Sequence, residues 1–317
     1  MKQPFSFRYQ PVLGTELQVL VACETATSAK QAQQRVLGEL LRLEAMLSTY
    51  RPDTPLSRWM RAEEPGDLPG EVVAVLELAQ DWYVTSKGAL HPGLGRLRAR
   101  WREAERDGRP PNREECRRLV AQADQLPYTV RTSEGVRSAH RIGDCTDLDL
   151  DALAKGWIVD RAAEIGMSSE VEWLMVNVGG DLRLVGSGSV RVAIEDPASR
   201  IDNAPPLAVV TLTPGGLASS GPARRGFQVA GQWFGHVLDP RTGWPAEGVA
   251  GVTVIAADTI TADALATVVE VDGIQHPTVT ALLNETQAAV LSVSAAGAVE
   301  LSPRWREQVS FELPANS

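Results

Sequence analysis

The sequence predicts an α+β (mixed α/β) fold, with a largely antiparallel or mixed sheet and flanking helices in a single domain spanning residues 1–317. Three observations carry this expectation. Strand-period and helix-period segments follow one another in irregular order, without the strict alternation of a doubly wound sheet. No linker, internal repeat or low-complexity tract divides the 317 residues. A composition of 44% hydrophobic and 22% charged residues gives a chain of this length ample material for a packed core.

Residues 5–21 alternate well enough for strands, with Leu13-Gly14-Thr15 as the break between them. Thr27 or Ser28 can cap a helix running to about Leu47, whose apolar face is Ala32, Val36, Leu40, Leu43, Met46 and Leu47. Two prolines and several hydroxyls make residues 48–58 a shaped loop with no regular ladder. A second amphipathic helix is predicted from Glu71 to about Ser86, followed by the turn-rich stretch from Lys87 through Ala89-Leu90-His91 to Gly95. Residues 102–127 are charged and polar around Pro110 and Pro111 and read as a surface helical insertion.

Strands at 128–131 and 136–142 lead into the central stretch, residues 148–162. It opens as alternating apolar and acidic residues and then changes period, with Leu150, Leu153, Ala154, Trp157, Ile158 and Ala162 at helical spacing. Asp149 and Asp151 stand at the change of period, where they can cap the first turn. Further strands are expected at 173–178, 190–194, 208–212 and 252–256. Thr261 is expected to cap a helix through about Val269, and residues 288–301 form a last hairpin.

The net charge of −9, with no basic block, excludes a general nucleic-acid binder and leaves phosphorylated ligands open. Cys23, Cys116 and Cys145 are odd in number, far apart and without metal-ligand spacing, so they read as plain thiols. The N-terminus has no apolar leader or lipid-attachment cysteine, and no run is long enough to span a bilayer. As written, the sequence predicts a soluble cytoplasmic protein.

Four places carry candidate chemistry. Lys155 is a cation in an early helical turn, against the helix dipole, and reads either as a solvated lysine or as a phosphate ligand acting with the helix N-terminus. Asp263 and Thr267, four apart on one helical face, suit Mg2+, although an aspartate in a first turn is also favourable for dipole reasons alone. His236 precedes an Asp-Pro turn with Arg241 and Thr242 and can serve as a general base or as a structural histidine. Gly179-Gly180 after a buried strand permits either a tight turn or close approach of a ligand. The dinucleotide fingerprint, the P-loop, the serine elbow and the zinc-protease motif are all absent.

Taken in order and spacing, these pieces resemble the ApbE family, the FAD:protein FMN transferases. The resemblance rests on Leu13-Gly14-Thr15, the loop from Ser48-Thr49-Tyr50 to Arg58, Asp149 through Gly156, Asn177 through Asp181, His236 through Gly243, and Ala262 through Thr267. It implies one flavin transferase domain. It also implies Mg2+ held by Asp263, Thr267 and the carbonyl of Ala152, and FAD contacted by Leu13, Ser48, Thr49, Tyr50, Ala89, Leu90, His91, Asp149, Lys155 and Val237. Lys155 and His236 would be the catalytic pair, neutralising phosphate charge and activating a threonine hydroxyl of a target flavoprotein, with AMP released. Two substitutions depart from the family pattern: His91 stands where an aspartate or asparagine is common, and Asp151 replaces a usual glycine. Family members are often exported or lipid-anchored, and this chain shows no leader. A Mg2+-dependent FAD pyrophosphatase and a non-catalytic FAD-binding protein are the alternative readings.

Overall fold

A computed structural model describes residues 4–123, 125–142, 148–199, 204–222, 225–309 and 311–312. The chain runs β1 (Phe5–Val12), β2 (Thr15–Cys23), α1 (Ala26–Leu47), α2 (Pro55–Arg61), α3 (Gly70–Thr85), α4 (Gly95–Asp107) and α5 (Arg113–Gln122). It continues through β3 (Tyr128–Ser133), β4 (Val136–Arg141), α6 (Asp151–Gly166), β5 (Val171–Val178), β6 (Asp181–Gly186), β7 (Val190–Ile194), β8 (Ala208–Leu212) and β9 (Gly215–Ser220). The last part comprises β10 (Gly226–Val229), β11 (Gln232–Gly235), β12 (Val249–Ala256), α7 (Thr259–Asp272), α8 (Pro277–Thr286), β13 (Ala289–Ser294), β14 (Val299–Leu301), α9 (Pro303–Gln308) and β15 (Phe311–Glu312).

The fold is α+β. Its main sheet has eight strands in the order β1-β2-β5-β6-β9-β12-β13-β14, and every neighbouring pair is antiparallel. On one face α1, α6 and α7 bury the larger core, with Leu17, Leu40, Leu153, Leu174, Val254 and Leu265 fully enclosed. The other face packs Trp173, Leu184 and Leu291 against the small sheet β15-β8-β7 and against Trp305 of α9. A third cluster joins α4 and α5 to the β10–β11 hairpin through Trp101, Cys116 and Phe227. Within it, Trp101 stacks on Phe227 and meets Trp244 edge-on, with ring centroids 5.8 and 5.2 Å apart.

The caps differ from expectation in instructive ways. Thr25, and neither Thr27 nor Ser28, caps α1, accepting from the Ser28 N–H. Asp258, not Thr261, caps α7, and its carboxylate accepts from the Thr261 N–H at 3.0 Å. Residues 48–58 are only partly a loop, because Thr54 caps the short helix α2 with Pro55 in its first turn, where proline's missing N–H costs nothing. The charged segment at 102–127 holds the end of α4 and all of α5, and Cys116 on its inner face is fully buried. Cys23 and Cys116 are free thiols, and Cys145 lies outside the described residues. Among the described residues no helix is long and apolar enough to cross a membrane.

One contact fixes the helix that matters most for the site. Asp160 of α6 is buried, and its two carboxylate oxygens accept from the N–H groups of Thr259 and Ile260, both at 2.9 Å. These are free donors of the first turn of α7. Asp160→Ala is expected to destabilise the protein by roughly 2–4 kcal/mol in urea unfolding, because it leaves two buried donors unpaired at once. An unfolding midpoint equal to wild type would show that α7 is held by packing alone.

Candidate active site

The central stretch folds as its change of period demands. The Asp149 carboxylate accepts from the Asp151 N–H at 3.2 Å, turning the chain into α6. Gly156 then lets α6 cross α7 closely: a Cβ there would lie 2.8 Å from Ile260 Cα and 2.9 Å from the Thr259 carbonyl oxygen. The crossing brings the start of α6 beside the face of α7 that carries Asp263 and Thr267. At the end of β5, Gly179 has φ +59, and a Cβ would stand 2.6 Å from the Thr15 side chain, so only glycine makes this turn. The turn delivers Asp181 to the base of the same place.

These elements surround an open cleft of about 1200 Å3. Ala89, Leu90, His91, Asp149, Ala152, Lys155, His236, Val237, Asp263 and Thr267 all line it. Residues spread from position 89 to 267 thus converge on one cavity. The other expected flavin contacts do not line it. Leu13 is partly buried against the main core in the β1–β2 turn. The Ser48 carbonyl accepts from Thr54 and Ser57 hydroxyls, holding the loop to α2. Thr49 sits beside it, and Tyr50 reaches the cleft indirectly by donating its phenol to the Asp151 carboxylate. His91 accepts from the Gly93 N–H through Nδ1 at 3.0 Å, and the neighbouring Pro92 carbonyl holds the Asp149 N–H at 2.8 Å.

The electrostatics explain the awkward lysine. Lys155 Nζ lies 2.6 Å from a carboxylate oxygen of Asp181, a residue 1% exposed. Asp263 stands in the same field, 8% exposed, and its Oδ2 has no hydrogen-bond partner among the described residues. Burial, reinforced by Asp181, pushes the Asp263 carboxyl up to about 8, against the opposing pull of Lys155. Two carboxyls share the charges of Lys155 and Arg225 in a desolvated place that disfavours a second negative charge, and a bound cation would make room for it.

His236 has the opposite environment. Burial, then the cations Arg98, Arg225 and Lys155, push its imidazole down to about 3, so it is neutral at physiological pH. Its Nδ1 is buried without a hydrogen-bond partner among the described residues. The loop that carries it is anchored by the third cluster, where the Trp101 indole donates to the Gly243 carbonyl at 2.9 Å.

Arg98, Asp181 and Arg225 are site residues that the sequence alone did not single out. Arg98 lies 3.0 Å from Asp149 and also pairs with Asp151. The charge that Asp151 adds is therefore absorbed by a partner on α4, and the departure from the usual glycine comes with its own compensation. Arg225 lines the cleft and donates to the Gly179 carbonyl at 3.1 Å. Arg98 did leave a signal: it shares the face set by Leu94, Leu97 and Trp101, an arginine on the apolar side of an amphipathic helix.

Comparison with known proteins identifies the family. Residues 13–291 match the ApbE family. The chain is 30% identical over 269 residues to the FAD:protein FMN transferase of Vibrio cholerae, covering 81% of this chain and 78% of that protein. It is 30% identical over 253 residues to the enzyme of the same name from Haemophilus influenzae, covering 77% and 72%. The ApbE protein of Thermotoga maritima superposes with a TM-score of 0.80 at 26% identity, over 96% of this chain and 99% of that one. A histidine-to-glycine mutant of the Vibrio cholerae flavin transferase superposes at 0.76 and 25% identity, with the same coverage. On the match over most of its length, the chain belongs to the ApbE family, an enzyme family.

Proposed function

We propose that this protein transfers FMN from FAD to a threonine hydroxyl of a target flavoprotein, releasing AMP, in a Mg2+-dependent reaction. The observation that carries the reading is the meeting in one cleft of Lys155, His236, Asp263, Thr267 and Ala152. Among the described residues no cluster of three or more His, Cys, Asp or Glu side chains is built to hold a metal. A site of one carboxylate, one hydroxyl and one carbonyl nonetheless fits Mg2+, which keeps several waters and completes its shell with substrate phosphate. The unpartnered Asp263 Oδ2 supports that fit. Asp263, Thr267 and the Ala152 carbonyl would hold the ion, and the chemistry it supplies is neutralisation of pyrophosphate charge.

The chain's own residues account for the rest. Lys155, held by Asp181, presents a fixed positive charge to the pyrophosphate. Arg98 and Arg225 add to the positive field at His236. When the pyrophosphate enters, its charge offsets these cations and raises the basicity of His236, so the imidazole gains basicity when substrate is present. His236 then takes the proton from the threonine hydroxyl as its oxygen bonds to the FMN-side phosphorus. The bond to the bridging oxygen breaks, and AMP carries that oxygen away.

The test is incubation of the protein with FAD, Mg2+ and a candidate flavoprotein subunit, followed by the intact mass of that subunit. A gain equal to FMN, absent with EDTA and absent when the acceptor threonine is changed to valine, is expected. Free FMN and AMP with no gain would mean that water is the acceptor. FAD that binds and never turns over would mean a binding protein.

A further inference from the structure

One buried titratable group plays no part in this chemistry. Glu270 follows Asp263 by seven residues and Thr267 by three on α7, and it is 2% exposed. Its Oε2 accepts from the Ser220 hydroxyl at 2.6 Å, and burial pushes its carboxyl up to about 7 against that bond. Ser220 ends β9 and lines the cleft. A buried carboxylate with one partner is costly to keep, and the partner here is a hydroxyl that faces the substrate cavity.

The direction of the bond determines what Ser220 can offer. A hydroxyl has one proton and two acceptor lone pairs. With the proton committed to Glu270, the Ser220 oxygen has only acceptor capacity left for the cleft. Seven residues of α-helix advance about 10 Å, so Glu270, which orients this acceptor, stands about two turns along α7 from Asp263. If the pyrophosphate lies at Asp263 and Lys155, as the proposed function requires, Ser220 is placed for a ring at one end of the dinucleotide. Both rings have an N–H edge: the isoalloxazine has a ring imide N–H and adenine an exocyclic amine.

Resting on that functional reading, we propose that Glu270 is a positioning residue that fixes the Ser220 hydroxyl as an acceptor for the N–H edge of one ring of FAD. The test is equilibrium binding of FAD, FMN and AMP to the full-length protein, alongside Glu270→Leu, Glu270→Gln and Ser220→Ala, with KM for FAD and kcat measured in parallel. Glu270→Leu and Ser220→Ala should each weaken FAD binding about 3- to 10-fold, the effect of one net hydrogen bond. Their double variant should be no weaker than either single one. Glu270→Gln, whose amide oxygen still accepts, should restore affinity, and the rise in KM should leave kcat at saturating FAD unchanged. A loss confined to FMN places Ser220 at the isoalloxazine, and a loss confined to AMP places it at adenine.

Equal losses for FMN and AMP, additive single effects, or wild-type FAD affinity in Glu270→Leu would each overturn the proposal. Should the leucine variant fail to fold, Glu270→Asp keeps the charge and shortens the reach, and it should weaken FAD in the same way. Unchanged affinity in that variant would also overturn it. Wild-type protein that binds no FAD would refute the functional reading itself, whereas a wild type that binds FAD no more tightly than Glu270→Leu would refute only this inference.

Discussion

Asp263→Asn is expected to reduce FMN transfer to below about 1% of wild type, because changes merely around a metal site already cost 10- to 100-fold. The substitution keeps the shape of the side chain and removes its charge. In the structure that group is the costly one: Oδ2 is buried without a hydrogen-bond partner among the described residues, and burial with Asp181 pushes the carboxyl up to about 8 against the pull of Lys155 and Arg225. Two effects of opposite sign follow. Without metal, the asparagine variant should be at least as stable as wild type, since an unpaired buried carboxylate is a cost to folding. With millimolar Mg2+, the wild-type melting temperature should rise and the variant's should not, because only a ligand that binds the native state stabilises it. Differential scanning fluorimetry with and without Mg2+ reads both effects independently of turnover. A Mg2+-induced shift that survives in Asp263→Asn would remove this residue from the metal site.

The same residues show what could and could not be read from the sequence. The change of period at Leu150 predicted α6, and periodicity placed β1, β2, α3, β7 and β8 within a residue or two. Those signals are local, set by side-chain alternation along one element. Caps were less legible, because Thr25, Thr27 and Ser28 are chemically equivalent candidates and the choice depends on where the β2 strand releases the chain. The strands β6, β9, β10 and β11 were missed: β9 is glycine- and serine-rich, β10 and β11 are only four residues long, and β6 follows directly on the Gly179-Gly180 turn that was read as the end of the preceding strand. The sheet order was not available at all, since it depends on pairings such as Leu182 with Leu217 that no local pattern encodes. At the site, motifs named Lys155, His236 and Asp263, but their convergence needed the α6–α7 crossing at Gly156. Arg98 was passed over although it stands on the apolar face of α4 with Leu94, Leu97 and Trp101, because its ion partners Asp149 and Asp151 lie some fifty residues away in the sequence.

His236→Gln should slow transfer by about 10²–10⁴-fold, the usual contribution of a general base, while FAD still binds. The basicity of His236 is set by burial and by the cations around it. Burial and then Arg98, Arg225 and Lys155 hold the imidazole down at about 3, so in the free protein it is neutral and only weakly basic. Its ordinary value is near 6.5, which fixes the sign of a second effect. As pH falls below 6.5 the unfolded chain binds a proton at this histidine and the native protein does not, so stability declines by about 1.4 kcal/mol per pH unit until the native value is reached. Between pH 6.5 and pH 5 this amounts to about 2 kcal/mol, and His236→Gln should lose that part of the acid sensitivity. Urea unfolding of both proteins at pH 7 and pH 5 measures it. Pyrophosphate binding should reverse the field at the ring, so FAD titrated calorimetrically at pH 6 in two buffers of different ionisation heat should show proton uptake in wild type and less in His236→Gln. Equal uptake in both would place the titrating group elsewhere. Lost FAD affinity in the variant would make His236 a binding residue, and the proton acceptor would then have to be sought among the cleft carboxylates.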